Sequence, residues 1–219
     1  MNETSNPRWL DWSQRLQAAA QIGLTFARDP YDLERYHAIR QIAAEMLAAG
    51  SGQEPSVILD VLKKETDYAT PKVDVRGVVF RDNKILLVRK RSEGRWTLPG
   101  GWADIGASPA ENVVREIFEE SGLATRAEKI LAVFDRSRHP HVPPFAFHIY
   151  KLYILCTITG GKETTSSETD AVSFFGEAEI PELSITRVTP AQIRRMFEHH
   201  RQPELPTDFD PASLAPEPA

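Results

Sequence analysis

The spacing of apolar residues changes near Pro71, and this change most limits what the chain can fold into. Before Pro71, apolar side chains recur at helical spacing, which is typical of helices that bury one face. After it, Val73, Val75 and Val79 alternate with other residues, and a second apolar run begins at Ile85 after an Asp-Asn turn. This alternation predicts a β-hairpin. A helical segment is therefore followed by a segment that contains a sheet.

Three segments follow from this division. We predict a helical N-terminal extension over residues 1–68, an α+β domain over 69–202, and a disordered tail over 203–219, where Pro, Asp and Glu are frequent. The α+β domain should be an α/β/α sandwich, in which helices cover a mixed sheet. One helix should follow the cap residue Ser108, and another the cap residue Thr189. Further strands are predicted near residues 95–98, 126–135, 145–159 and 171–175.

The N-terminal extension should contain a helical hairpin. Asp29 and Pro30 are residue types preferred at an N-cap and at the first helical position, and we expect Gly50 to end that helix. A hairpin of this size buries little on its own, so it should dock on the next domain or on a second chain. Because Trp9 and Trp12 add more apolar surface than one small hairpin needs, we predict a homodimer.

Composition narrows the location and the partners. The formal net charge is -5, which gives no basic field to recruit nucleic acid, so we do not expect long nucleic acids as partners. Cys156 is the only cysteine, so no disulfide can form within the chain, and a reducing compartment is favoured. The sequence has no secretory signal and no apolar run near the roughly 20 residues that span a bilayer. We therefore predict a cytoplasmic protein with no membrane partner.

The predicted helix over 109–121 concentrates negative charge on one face. Ser108 and a proline define its start, and a glycine stands where it should end. Glu116, Glu119 and Glu120 lie three and four positions apart, so they share a face near the C-terminal end. Like charges at this spacing repel, and the helix dipole disfavours them there. A hard divalent cation would relieve that repulsion, because Mg²⁺ and Mn²⁺ prefer carboxylate oxygens.

The run from Gly101 to Leu123, GWADIGASPAENVVREIFEESGL, resembles the Nudix box of the Nudix hydrolases. That pattern is G, five residues, E, seven residues, then R-E-U-x-E-E-x-G-U, where U is bulky and aliphatic. Every fixed position matches except Ala107, where the family has a glutamate that supports the box arginine. The resemblance implies a Nudix fold over about 70–200 and puts the setting of Arg115, rather than the metal site, in question.

A second resemblance lies in the N-terminal segment. Residues 21–26, 29–32 and 34–36 resemble the helical extension of a Nudix subgroup that acts on nucleoside diphosphates linked to another group. ADP-ribose and CDP-choline are among its substrates, and its members commonly carry alanine at the position of Ala107. The resemblance implies hydrolysis of a nucleoside diphosphate–X to a nucleoside monophosphate and phospho-X.

The family resemblance also assigns roles within the box. Glu116, Glu119 and Glu120 are implied as ligands of Mg²⁺ or Mn²⁺, and the carbonyl of Gly101 as a further ligand. Arg115 should orient these carboxylates or touch phosphate. We count Glu119, Glu120 and Arg115 as catalytic residues together with a general base from outside the helix.

The general base and the substrate contacts lie in other segments. Related enzymes use an acid in a loop between later strands, so Glu168 is our candidate and Asp170 the alternative. Phosphate requires positive charge, and a nucleobase requires an aromatic or apolar platform. The predicted substrate-binding residues are Arg76, Arg89, Trp102 and Arg136.

Two other functional classes stay open at this point. A Nudix fold can sense a nucleotide without cleaving it, although such proteins tend to lose the glutamates that are present here. The same site could process RNA 5′ ends or act as an exonuclease, which the acidic net charge disfavours. The resemblance leaves the substrate open. ADP-ribose hydrolases often have a proline about sixteen residues past the box, and Pro140, seventeen past Leu123, gives weak support to ADP-ribose. The helical extension suits CDP-choline equally.

Overall fold

The computed structural model describes residues 7–143 and 145–211. Of these, residues 7–72 and 145–148 form one compact unit, and residues 73–143 and 149–211 form a second. The segment 145–148 was predicted to begin a strand, but that strand starts at Ile149 instead. In the described part of the chain, no helix is both long enough and apolar enough to cross a bilayer.

The first unit is helical, as the apolar spacing predicts. Its helices are α1 (Arg8–Phe26), α2 (Pro30–Ser51) and α3 (Pro55–Leu62). The Asp29 carboxylate accepts hydrogen bonds from the first backbone amides of α2, which confirms the predicted cap. The buried core of this unit consists of Leu10, Ala44, Leu47 and Leu62.

Gly50 does not end α2, contrary to our prediction. The helix continues to Ser51, and Gly52, with a φ of 72°, adopts the left-handed conformation that ends it. A Cβ atom at Gly50 would lie 2.3 Å from Cε2 of Trp9. The glycine is therefore needed because the Trp9 ring packs against the helix backbone.

The second unit contains a mixed sheet in the order β3-β2-β1-β5-β4-β7, with β6 paired to β2. Asp82 and Asn83, with φ values of 52° and 58°, form the turn of the predicted hairpin. The α+β prediction is confirmed. The strands are β1 (Lys72–Arg81), β2 (Lys84–Lys90), β3 (Arg95–Thr97), β4 (Leu123–Asp135), β5 (Ile149–Gly161), β6 (Thr169–Phe175) and β7 (Asp208–Phe209).

Two helices cover opposite faces of this sheet. Helix α4 (Pro109–Ser121) begins at the Ser108 capping box and ends at a left-handed Gly122, as predicted. Its apolar side packs with Val75, Val79 and other residues of one core cluster. Helix α5 (Pro190–Arg201) has its predicted capping box and packs in a separate cluster. Because successive side chains of a strand point to opposite faces of the sheet, each face has an apolar surface that one of the helices covers.

Part of the predicted tail is ordered. Strand β7 adds to the sheet beside β4, and the Lys129 ammonium donates a 2.6 Å hydrogen bond to the carbonyl of Leu205. The prediction of disorder is therefore wrong for residues 203–211. Strand pairing and ion pairs hold this segment in place, although it buries little apolar surface. Asp208, for example, accepts a 2.8 Å hydrogen bond from Arg195. Residues 212–219 lie outside the described residues.

Candidate active site

A glycine turn brings backbone close to the acidic helix. The carbonyls of Pro99 and Gly101 accept hydrogen bonds from the amides of Gly77 and Val75, so the turn is held along β1. Gly100 has a φ of 141°, and a Cβ atom there would lie 2.0 Å from a backbone oxygen. Only glycine is compatible with this position.

Helix α4 approaches β1 closely and so fixes where the glutamates stand. A Cβ atom at Gly77 would lie 2.5 Å from Cδ1 of Ile117, on the buried side of the helix. The neighbouring Glu116 then faces the glycine turn, and a Cβ atom at Gly101 would lie 2.9 Å from its Oε2. The absence of a side chain at Gly101 leaves room beside a carboxylate.

Glu120 is the most buried of the three glutamates, with 3% of its side chain exposed. Its Oε2 accepts a 3.1 Å hydrogen bond from the Gly100 amide, and its Oε1 accepts one from the ammonium of Lys90. The structure thus brings Glu120 to the glycine turn, one helical turn from Glu116.

Glu116 and Glu119 lie in different environments. Burial, followed by the negative charge of Glu120, raises the pKa of Glu116 to about 7, although Arg115 opposes this shift. Glu119 is more exposed, and its carboxylate lies 3.5 Å from Arg115. The face therefore carries one carboxylate whose ionisation is costly in the absence of a further cation.

Arg115 keeps a complete set of partners despite Ala107. Its guanidinium lies 2.7 Å from Asp104 and 3.6 Å from Glu116, and it donates a 2.9 Å hydrogen bond to Asn112 Oδ1. The Asn112 amide also donates to the Ala107 carbonyl at 3.1 Å. Asp104 and Asn112 thus support the arginine, a role that a glutamate at position 107 has in the family pattern.

Glu168, the predicted general base, reaches the acidic helix through Lys90. Its carboxylate lies 2.7 Å from the Lys90 ammonium, while 69% of its side chain is exposed. The hydrogen bond from Lys90, followed by the charge of Lys90, lowers the pKa of Glu168. The alternative base, Asp170, pairs with Arg89 at 2.7 Å.

Arg76 belongs to a buried charge cluster on the opposite face of β1. Its guanidinium donates a 2.8 Å hydrogen bond to Asp74, and Lys151 donates one of 2.6 Å to the same carboxylate. Burial, followed by the charge of Arg76, lowers the pKa of Lys151 to about 7. Arg76 therefore has a fixed internal partner.

The remaining predicted substrate residues differ in exposure and in partners. Arg89 is partly exposed, and its guanidinium lies 5.9 Å from the ring centre of Trp96. Trp102 is 47% exposed beside the glycine turn. Arg136 is buried and donates a 2.9 Å hydrogen bond to the Pro143 carbonyl. Arg76 pairs with Asp74, the charge of Asp74 also acts on Arg136, and Trp102 forms an isolated β-bridge with Asp74, whereas Arg89 pairs with Asp170.

The donor set suits a hard divalent cation. Within residues 7–143 and 145–211, no three acidic, histidine or cysteine side chains converge as a finished metal site. Glu116 Oε2 nevertheless lies beside the space that a Cβ atom at Gly101 would fill, and Glu120 Oε2 accepts a hydrogen bond from the neighbouring Gly100 amide. The buried ammonium of Lys90 already pairs with Glu120, so this carboxylate is in a position to bind positive charge.

The chain matches known protein-family models. Residues 70–197 match the family model described as the NUDIX domain. The chain belongs to the Nudix family. Residues 7–62 match a second model, described as a UDP-X-like, N-terminal oligomerisation domain. This Nudix protein therefore carries a recognised extension before its hydrolase domain.

Individual relatives extend this comparison over nearly the whole chain. The Nudix protein is 48% identical over 203 residues to "Putative ADP-ribose pyrophosphatase YjhB" of Bacillus subtilis (strain 168), covering 93% of this chain and 97% of that one. An ADP-ribose pyrophosphatase of Methanocaldococcus jannaschii is 32% identical and covers 56% of this chain and 72% of its own. The crystal structure of a UDP-X diphosphatase superposes with a TM-score of 0.60 at 35% identity, covering 93% and 98% of the two chains. These relatives support a hydrolase of pyrophosphate bonds.

Sequence reasoning missed the residues that organise the glutamates. None of Lys90, Asp104 and Asn112 was predicted as a partner of the acidic helix. A signal for Lys90 was present, because alternation along β2 places it on the face of Leu86, which packs with Ile117 of α4. No local signal identifies Asp104, because its contact with the arginine depends on the path of the loop.

Proposed function

We propose that the protein is a metal-dependent pyrophosphohydrolase. It would cleave a nucleoside diphosphate linked to a group X into a nucleoside monophosphate and phospho-X. The observation that carries this proposal is the convergence of Glu116 and Glu120 on the turn at Gly100 and Gly101. Carboxylates beside an open backbone turn can hold a cation against a diphosphate.

Glu116, Glu119, Glu120 and the Gly101 carbonyl would hold Mg²⁺ or Mn²⁺. When bound, such an ion neutralises phosphate charge and lowers the pKa of a coordinated water. Arg115 would keep the carboxylates in place through its contacts with Glu116 and Glu119. The three glutamates lie on the helix face whose carboxylates repel one another when no cation is bound.

Glu168 would act as the general base. The hydrogen bond from Lys90 favours its ionised form, and its exposure lets it meet an attacking water. The proton of that water would pass to the Glu168 carboxylate as the water oxygen attacks one phosphorus. The bond from that phosphorus to the bridging oxygen would break, and the second phosphate would leave with the bridging oxygen, which gives the nucleoside monophosphate and phospho-X. Asp170 is less suited, because 30% of its side chain is exposed, compared with 69% for Glu168.

The substrate would meet partly exposed residues first. Arg89 offers a cation for phosphate, and Trp102 offers a ring for a base or for the X group. Arg76 and Arg136 are buried, so we propose that they act on the substrate through their charge. ADP-ribose is our first candidate substrate, because the names of two relatives describe them as ADP-ribose pyrophosphatases. UDP-linked compounds come next, followed by CDP-choline.

The active form would be a homodimer in the cytoplasm. The first unit exposes 46% of Trp12 and 60% of Phe26, and its sequence matches a model named for oligomerisation. These large apolar surfaces suit contact with a second copy. Sedimentation at working concentration should give a dimer, whereas a clean monomer would contradict this part of the proposal. The cytoplasmic location stays a prediction based on the single cysteine, Cys156.

A panel hydrolysis assay tests the proposed reaction. ADP-ribose, UDP-sugars, CDP-choline and a 5′-triphosphate RNA are presented with Mg²⁺, with Mn²⁺ and with chelator. We expect metal-dependent release of a nucleoside monophosphate from at least one small substrate. Glu34→Gln, at an exposed position of the first unit, serves as the control variant. Tight nucleotide binding without cleavage of any compound would instead indicate a sensor.

A further inference from the structure

Lys90 connects the acidic helix to the loop that carries Glu168. Its ammonium forms ion pairs with both Glu120 and Glu168, and only 9% of its side chain is exposed. This arrangement places one buried cation between a proposed metal ligand and the proposed base.

The backbone around Lys90 fixes this position. Lys90 is aligned with Thr169 in the pairing of β2 with β6, where the register shifts between Arg89 and Lys90. The Thr169 hydroxyl donates a 2.8 Å hydrogen bond to the Glu120 carbonyl, which ties the end of α4 to the same strand. The ammonium therefore belongs to a constrained junction of three elements, rather than to a mobile surface side chain.

Both carboxylate oxygens of Glu120 are engaged in this arrangement. Oε1 accepts from Lys90, and Oε2 accepts from the Gly100 amide at 3.1 Å. An ammonium and a divalent cation repel each other strongly at the distance of a shared carboxylate. A metal ion that uses Glu120 must therefore weaken or break the contact with Lys90.

The same contact stabilises the protein without metal. Glu120 has only 3% of its side chain exposed, and a buried carboxylate without a counter-charge is costly. Two cations pair with the acidic face of α4: Arg115 contacts Glu116 and Glu119, whereas Lys90 contacts Glu120. Each cation thus serves a different part of the acidic face.

We propose that Lys90 is a built-in counter-ion that competes with the divalent metal for Glu120. It holds the carboxylate in place in the metal-free protein and sets how tightly the metal binds. This inference rests on the proposed metal site. It adds a positioning residue that lies on β2, outside the acidic helix and the glycine turn.

Direct metal binding provides the test. Mn²⁺ binding is measured by calorimetry, and thermal unfolding is followed in chelator, for the full-length wild type and for Lys90→Met. Removing the positive charge should tighten Mn²⁺ binding by ~10-fold or more, because repulsion at this distance is lost. In chelator, the variant should also unfold at a lower temperature than the wild type. Mn²⁺ should then raise the unfolding temperature of the variant by more than it raises that of the wild type.

Three further variants make the result specific. Lys90→Arg keeps the charge and should bind Mn²⁺ like the wild type. Lys90→Gln can still donate a hydrogen bond to Glu120, so it provides the comparison if the methionine variant does not fold. Lys84→Met is the matched control, because Lys84 lies on the same strand and is 3.8 Å from the exposed Glu179.

The outcomes separate this inference from the proposed function. Equal or weaker Mn²⁺ binding by the uncharged variants, beside a wild type that binds Mn²⁺, would overturn the role of Lys90 alone. A wild type that binds no Mn²⁺ would overturn the metal-dependent function and, with it, this inference. Tighter binding in Lys84→Met would also refute it, since the effect would then not depend on Glu120.

Discussion

Replacing Glu116 with glutamine should change how the stability of the metal-free protein depends on pH. The pKa of Glu116 is raised from 4.5 to about 7, first by burial and then by the charge of Glu120. Below pH 4.5, the folded and unfolded states both hold the proton. As the pH rises toward 7, the unfolded state releases it and the folded state keeps it. The free energy of unfolding therefore falls over this interval and stays lower above it.

The size of the effect follows from the same interval. At about 1.4 kcal/mol per pH unit, the difference between 4.5 and about 7 corresponds to a loss of about 3 kcal/mol. Glutamine cannot ionise and resembles the protonated acid in shape. The free energy of unfolding of Glu116→Gln, minus that of the wild type, should therefore be about 3 kcal/mol larger at pH 8 than at pH 4.

Urea unfolding in chelator, followed by tryptophan fluorescence, measures this difference. Comparing the two proteins at each pH cancels the titration of all other groups that the substitution leaves unchanged. Glu119→Gln, on the same helix but with 55% of its side chain exposed, is the control for removing a carboxylate from α4. If the wild type and Glu116→Gln show parallel pH profiles, Glu116 does not titrate as its burial requires.

Three other substitutions test the rest of the site. Glu120→Gln should lower metal-dependent hydrolysis by roughly 10- to 100-fold while the far-UV circular dichroism is retained; full turnover with Mg²⁺ would contradict its role as a ligand. Asp74→Asn leaves two buried cations without their carboxylate, so urea unfolding should show a loss of about 3–5 kcal/mol; a loss under about 1 kcal/mol would refute the pairing. Gly101→Ala should weaken Mn²⁺ binding in calorimetry, because the methyl group would meet a carboxylate at 2.9 Å; unchanged binding would mean that the metal lies elsewhere.

Local sequence signals predicted the elements whose ends are determined locally. The bounds of α4 follow from Ser108 and Gly122, because a capping box and a left-handed glycine act within a few residues. The turn at Asp82 and Asn83 is local in the same way. Gly50 shows the limit, since the tryptophan ring that requires it lies on another helix.

Contacts between distant strands could not be predicted in this way. Lys151 meets Asp74 only because β5 lies beside β1, and the two residues are 77 positions apart. Lys90 meets Glu168 because β6 pairs with β2. The tail residue Asp208 is held by Arg195 through charge, which composition alone reads as a sign of disorder. Register and partner choice depend on the whole sheet, so single-segment patterns do not contain them.

The alanine at position 107 shows how a site can keep its geometry when one position of the family pattern changes. Asn112 is buried and binds both the loop, through the Ala107 carbonyl, and the guanidinium of Arg115. Because its Oδ1 also accepts a 2.9 Å hydrogen bond from the Asp104 amide, it fixes the residue whose carboxylate lies 2.7 Å from the arginine. Support for Arg115 therefore comes from the fold of the loop, and no side chain is needed at Ala107. The departure from the pattern is thus consistent with an intact acidic face and with the hydrolytic function proposed for it.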